Sequence, residues 1–196
     1  MGYKGIFYSV GKKAAAYLCT MLKKSMEELQ RLSQQEFKAS EKYPITLVLE
    51  NVRSMHNVGS VFRSADAFRV EKIFLCGYTP KPPHRDIQKT ALGATETVSW
   101  EASENATHTI LELRSKGYLT LAVEQTHNSI LLQELNVEAG QKIALVFGNE
   151  AEGVSEECIS VCGAALEIPQ FGSKHSFNIS VSAGIVLWEV YKKMTK

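Results

Sequence analysis

The chain has 196 residues, with 22 Lys+Arg against 21 Asp+Glu for a formal net charge of +1, and is 44% apolar and 22% charged. Those proportions are ordinary for a globular protein and exclude a disordered chain, a collagen-like repeat and a disulfide scaffold. The length suits one domain with a sizeable core, carrying an extension.

No apolar run reaches the roughly 18–20 residues a membrane helix needs. The start, MGYKGIFYSVGKKAAAYL, scatters lysines through its apolar residues and lacks a signal-peptide core. Position 6 is Ile6, where a myristoylation motif wants Ser or Thr. A soluble cytoplasmic protein is the expectation. Cys158 and Cys162 have the wrong spacing for a zinc knuckle and no His pair beside them. With Cys19 and Cys76 they read as buried reduced thiols, and no metal is expected.

Residues 1–44 hold eight bases against four acids, with no acid before Glu27. A basic arm on a near-neutral body is either an electrostatic footprint for phosphates or a solvated helix surface. Residues 12–40 read as a helix, because Leu18, Leu22, Met26, Leu29 and Leu32 recur at three- and four-residue steps. Pro44 disfavours helix at Tyr43, so the expected division is a helical extension over 1–43 and a folded domain over 44–196.

Beyond Pro44, short apolar runs alternate with helical stretches. Strands are expected at 45–50, 72–77, 97–102, 119–124, 142–148 and 165–170. Helices are expected at 57–69, 84–92, 103–116, 129–135, 154–160 and 178–194. Several of the strand runs are almost continuously apolar, as in a parallel sheet covered on both faces. Six such alternations mean an α/β open sheet with right-handed crossovers. Ligands bind outside the carboxyl ends of such strands.

Three of the loops at those ends carry candidate chemistry. In ENVRSMHNVGSVFRSADAF (50–68), Asn57 precedes a helical pattern and could simply cap it. Gly59 allows a ligand or a neighbouring helix to come close. Arg63 sits among Val61, Phe62, Ala65 and Phe68. A guanidinium there needs either an internal salt bridge or a bound anion, and both readings stay open. In FGNEAEGVS (147–155), Gly148 and Gly153 bracket Asn149, Glu150 and Glu152. No Lys-Ser/Thr follows, so this is not a phosphate loop. An acidic glycine loop suits a cationic or hydroxyl-bearing ligand, or else it is a plain turn capped by Ser155. In IPQFGSKHSFNISVSAGIVLWEVYKK (168–193), Pro169 ends a strand, Gly172 permits a bend, and Ser176 and Asn178 offer caps to a final helix. That helix is apolar on nearly every side, which implies burial all round and a subunit interface.

Taken together, the three loops resemble the three motifs of the SPOUT superfamily of RNA methyltransferases, in its TrmH-like 2′-O-ribose branch. The motifs stand here as NVGSVFRSADAF, LVFGNEAEGVS and IPQFGSKHSFNISVSAGI, and the resemblance covers residues 45–194. It implies a mostly parallel sheet with helices on both faces and a C-terminal trefoil knot that forms the S-adenosylmethionine pocket. It also implies a homodimer and an RNA partner, either tRNA or rRNA. By position, Gly148, Ile168 and Phe177, with Asn149, Gly153 and Gly172, would hold the cofactor. Arg63 would act on the ribose 2′-hydroxyl, in its own or the partner's site, and Asn57, Glu150, Ser176 and Asn178 would orient the participants. An arginine is a poor base, its pKa exceeding about 12, so it would need help or would hold a phosphate instead.

The sequence departs from the family pattern at Gln170, where Met is usual, and at Phe177 and Ile179 in place of Leu and Val. The polar positions are kept. Only about 40 residues precede the sheet, too few for an independent RNA-binding domain. RNA recognition is therefore expected from the arm, from Lys192, Lys193 and Lys196, and from the 80–89 loop. The alternative is a non-catalytic RNA-binding protein on the same fold, against which intact Arg63, Glu150 and Asn178 speak. A Rossmann-type nucleotide enzyme lacks its G-x-G-x-x-G.

Overall fold

The computed structural model describes residues 23–25, 27–138 and 140–195. Residues 34–195 form one compact unit. Its elements, in chain order, are α1 (Gln34–Ala39), β1 (Tyr43–Glu50), α2 (Met55–Ala67), β2 (Val70–Cys76), α3 (Arg85–Ala91), α4 (Ala94–Thr97) and β3 (Ser99–Ser103). They continue with α5 (Ala106–Ser115), β4 (Leu119–Val123), β5 (Ile130–Leu131), a 3₁₀ turn (Leu132–Glu134), β6 (Ile143–Phe147), α6 (Glu156–Val161), β7 (Ala164–Glu167) and α7 (Ile179–Met194).

The seven strands make one sheet in the order β3-β2-β1-β6-β4-β7-β5, and every pairing is parallel. The two central strands are the most apolar. Ile45 through Leu49 and Ile143 through Phe147 are all buried and, Thr46 apart, all apolar, as a sheet covered on both faces requires. Alternation along β1 divides the core in two. Ile45, Leu47 and Leu49 join a cluster with α2, α3 and α7, whereas Val48 faces Ala106, Ile110 and Cys158 of α5 and α6. On the first face, α2 and α3 approach so closely that a Cβ on Gly59 would lie 2.2 Å from the Ile87 carbonyl oxygen. The ligand-or-helix alternative at Gly59 thus resolves to a helix.

The described part of the expected 12–40 helix is mostly not helical. Over residues 23–33 there is one turn, closed by reciprocal bonds between Ser25 and Glu28 and ended at Gln30 by a left-handed backbone (φ 46°). The Leu29 and Leu32 stripe is exposed, so no apolar surface rewards continuation of the helix. Residues 12–22 and 26 lie outside the described residues. Among the described residues of that stretch, helix is confined to α1, where Phe37 is buried and Lys42 donates to the terminal carbonyls of Phe37 and Ser40.

One further expectation is corrected. The stretch 129–135 is strand β5 plus a 3₁₀ turn, because Ile130 and Leu131 pair with Leu166 and Glu167 at the sheet edge. Within the protomer the final helix buries Ile179, Ala183, Val186, Leu187 and Val190 and leaves Val181 and Trp188 48% and 55% exposed, the side that the expected subunit interface would cover. Helix α4 went unforeseen, since four residues after a left-handed Gly93 carry no readable period. Cys76 and Cys158 are buried, and burial pushes the Cys76 thiol up to about 11 and the Cys162 thiol up to about 12. Both stay protonated and unreactive at neutral pH. Among the described residues no helix is long and apolar enough to cross a membrane.

Candidate active site

Sheet order brings the three loops together. β1 and β6 are neighbours at the point where the strand order reverses, so the loops leaving their carboxyl ends meet. β4 and β7 follow beside β6. A cleft of about 260 Å³ opens across the carboxyl ends of β4, β6 and β7. Its apolar wall is made by Val123, Phe147, Leu166, Ile168 and Ile179. Its polar rim includes Glu124, Glu150, Glu152 and Ser176. The described residues lining it include no lysine or arginine.

The loop after β6 is a closed cradle. Asn149 and Gly153 exchange both backbone bonds at 3.0 Å. The buried Asn149 side chain fills the turn, its Oδ1 accepting from the Ala151 and Glu152 amides at 2.7 and 2.8 Å. The glycines are required by geometry. A Cβ on Gly148 would lie 1.9 Å from the Gly153 carbonyl oxygen, and Gly153 itself has φ +73°. Glu124, at the end of β4, accepts from the Val154 amide (3.1 Å) and braces the cradle from behind. Gln125 Nε2 donates to the His175 carbonyl (2.9 Å), tying the β4 end to the third loop.

A line of side chains joins all three loops. Glu150 accepts from the Arg53 amide (3.0 Å), the Ser54 amide (3.1 Å) and Asn57 Nδ2 (2.8 Å). Asn57 Oδ1 accepts from Asn178 Nδ2 (3.1 Å), and Asn178 Oδ1 caps α7 by accepting from the Ser180 amide (2.9 Å). The ends fix every amide orientation: a carboxylate only accepts, and a helix amide only donates. Burial pushes the Glu150 carboxyl up, but the bonds from Arg53, Asn57 and Ser54 outweigh it. The group therefore sits below the ordinary carboxylate range.

The placement of the expected residues is uneven. Gly148, Asn149, Glu150, Gly153, Ile168, Ser176 and Phe177 line the cleft, and Asn57 and Asn178 stand behind it through the relay. Asn57 is not a cap: Ser54 caps α2, accepting from the Asn57 amide, and this frees the Asn57 side chain for Glu150. Gly172 is outside the lining, with open space where a Cβ would point. Arg63 is exposed on α2, lies outside this chain's own cleft and has no ion pair among the described residues, so the internal salt bridge is absent. Glu124, Gln125, Arg53 and Tyr78 were not singled out from sequence. For Glu124 the available signal was its place at a strand's carboxyl end.

The SpoU rRNA methylase family model matches residues 44–188, which takes in all three loops. The chain belongs to the SpoU rRNA methylase family. Relatives in this family include a Staphylococcus saprophyticus protein assigned to the TrmH family of tRNA/rRNA methyltransferases, 30% identical over 80% of this chain and 61% of its own length. The 23S rRNA (guanosine-2′-O-)-methyltransferase of Neisseria meningitidis serogroup B is 31% identical over 76% of this chain and 59% of its own. The chain thus spans about three-fifths of the length of these relatives. Among solved SpoU-type structures, the A. aeolicus TrmH/SpoU tRNA modifying enzyme superposes with a TM-score of 0.73 at 25% identity, covering 83% of this chain and 80% of that one. An AdoMet-bound rRNA methyltransferase from Sinorhizobium meliloti gives 0.72 at 25% identity, covering 83% and 61%.

Proposed function

We propose that the chain is an S-adenosylmethionine-dependent methyltransferase acting on a ribose 2′-hydroxyl of tRNA or rRNA. The observation that carries this reading is the Glu150–Asn57–Asn178 relay, which locks three separate loops beside a carboxylate-rimmed cleft in a SpoU-family chain. The cleft fits the cofactor chemically. Its apolar wall suits an adenine ring, and three carboxylates without a facing lysine or arginine suit a sulfonium cation. When bound, S-adenosylmethionine supplies an electrophilic methyl group.

The residues present act mainly by positioning. Glu150 is a poor general base, because its pKa is lowered and its oxygens already accept three bonds. It holds Asn57 and the start of α2 in place. Ser176 lines the cleft and can bond a hydroxyl there. Arg63, exposed away from its own cleft, is proposed to reach the cleft of a second copy and hold the substrate phosphate. The side of α7 that carries exposed Val181 and Trp188 supports a homodimer. The entry of β6 and β7 between strands already laid down supports a knotted C-terminal region. The basic extension, residues 1–43, is proposed to add sequence-independent RNA affinity, and the substrate class makes the cytoplasm the expected compartment.

Mapping 2′-O-methyl sites in total RNA from cells with and without the gene tests the reading. One or a few sites should disappear with the gene, and purified protein with S-adenosylmethionine should restore them. An unchanged map, with no heat on titrating S-adenosylhomocysteine into the protein, would leave the same fold serving as an RNA-binding module.

A further inference from the structure

Two exposed side chains beside the cradle loop have no part in the relay. Arg53 immediately precedes the Ser54 cap of α2. Its backbone amide is bonded to Glu150, while its guanidinium is exposed and has no carboxylate ion pair among the described residues. Tyr78 follows β2 with its side chain 56% exposed, and its hydroxyl accepts from Asn149 Nδ2 at 3.3 Å. One residue is thus fastened to Glu150 and the other to Asn149, neighbours in the cradle loop. The neighbouring Tyr78 pushes the Arg53 guanidinium pKa further up, so the group stays charged.

The backbone under both is rigid. Buried Thr79 donates to the Leu49 carbonyl (2.9 Å) and accepts from the Val52 amide (3.1 Å), stitching the β1 loop to the β2 loop. The Tyr78 amide donates to Asn51 Oδ1 (3.3 Å). Both side chains therefore start from fixed points.

The cleft itself repels phosphate, since Glu124, Glu150 and Glu152 line it. An RNA strand that offers a ribose to the cleft must keep its phosphates outside, near a cation. Arg53 is a cation just outside that rim, tied to Glu150 through its backbone amide, with exposed Tyr78 tied to the adjacent Asn149. A planar guanidinium suits a phosphate, and an exposed ring face suits a base. We propose that Arg53 and Tyr78 form the seat of the target nucleotide, Arg53 holding one of its two flanking phosphates, the one not held by Arg63, and Tyr78 stacking on its base. Both are positioning residues, and the inference rests on the RNA methyl-transfer reading.

The test compares wild type with Arg53→Ala, Arg53→Lys, Tyr78→Ala and Tyr78→Phe. The probe is a short fluorescein-labelled single-stranded RNA of mixed sequence, titrated across a salt series. S-adenosylhomocysteine calorimetry, thermal melting and methyl transfer to RNA from cells lacking the gene run alongside. Arg53→Ala should weaken RNA binding and lower the salt slope by about 0.7, the value for one single-strand phosphate. Arg53→Lys should restore most of that slope. Tyr78→Ala should cost about 5- to 100-fold in RNA affinity, and Tyr78→Phe no more than about two-fold. In methyl transfer both alanine variants should raise KM for RNA more than they lower kcat. Cofactor-product affinity and melting temperature should match wild type. The proposal is overturned if either alanine variant keeps wild-type RNA affinity and salt slope. It is equally overturned if S-adenosylhomocysteine affinity falls in step with RNA affinity, because the pair would then only shape the cradle. A wild type that binds the RNA but neither binds S-adenosylhomocysteine nor transfers methyl would overturn the enzyme reading instead, and the salt-slope comparison would still decide the seat.

Discussion

Glu150 receives three donors from a single stretch of chain, residues 53–57, across more than 90 positions of sequence. Because folding lowers its pKa, the ionised carboxylate stabilises the fold fully above the unfolded-chain value of about 4.3. That contribution is lost as the pH falls through the lower folded value. Glu150→Gln should therefore depress the melting temperature most at neutral pH, and the gap from wild type should close below about pH 4. A constant gap down to acid would mean that the carboxylate charge is irrelevant. Asn57→Ala cuts the relay without adding charge. It should cost about 1 kcal/mol of stability, yet lower single-turnover methyl transfer by about 100-fold, since it releases two loops at once. Near-normal transfer by that variant would remove the relay from the mechanism. The resemblance of the three loops to the family motifs singled out Asn57, Glu150 and Asn178, whereas their spacing alone left Asn57 and Asn178 as plain caps. It could not single out Arg53, Tyr78 or Glu124. Those are ordinary loop residues, and their meaning comes from a neighbour about 30–100 positions away that only the sheet order supplies.

At the level of elements, α7 shows what periodicity can and cannot decide. Its composition suggests burial on all sides, but packing against α2 covers only one flank, the one bearing Ala183, Val186, Leu187 and Val190. Trp188 lies at the edge with Phe68 and Tyr191, at ring separations of 6.4 and 6.2 Å. The two positions therefore answer different questions. Val186→Asp buries a charge inside the protomer and should cost on the order of 3 kcal/mol or more, giving unfolded or aggregated protein. Trp188→Glu should leave the protomer folded and convert the proposed dimer to a monomer by light scattering. A Trp188→Glu protein with the mass of a dimer would place the interface elsewhere. The long strands were readable because buried parallel strands are almost continuously apolar. Residues 27–33 and β5 were not: leucines such as Leu29 and Leu32 predict helix only if something packs on them, and a two-residue strand is defined by its partner, not by its own sequence.

Across the whole molecule, charge is unevenly spread, with the basic excess of residues 1–44 balanced by the acidic cleft. Reversing Lys12, Lys13, Lys23 and Lys24 to Glu should weaken RNA binding and flatten its salt dependence while leaving S-adenosylhomocysteine affinity unchanged. Wild-type RNA affinity in that protein would make the extension irrelevant to recognition. The strand order carries a consequence of another kind, for the moment when the chain is made. β6 pairs with β1 and β4 on its two sides, and its partners in β1 lie about 100 residues earlier. Until Ile143–Phe147 leaves the ribosome, β1 and β4 each present a naked, strongly apolar edge. The cradle, which is the continuation of β6, cannot exist before then. Nascent chains stopped just short of residue 143 should therefore be protease-sensitive and prone to cluster, whereas chains released after α7 should be resistant. The chain's most dangerous interval as a polypeptide is thus its synthesis, and chaperone demand should peak while β6 and β7 are still missing.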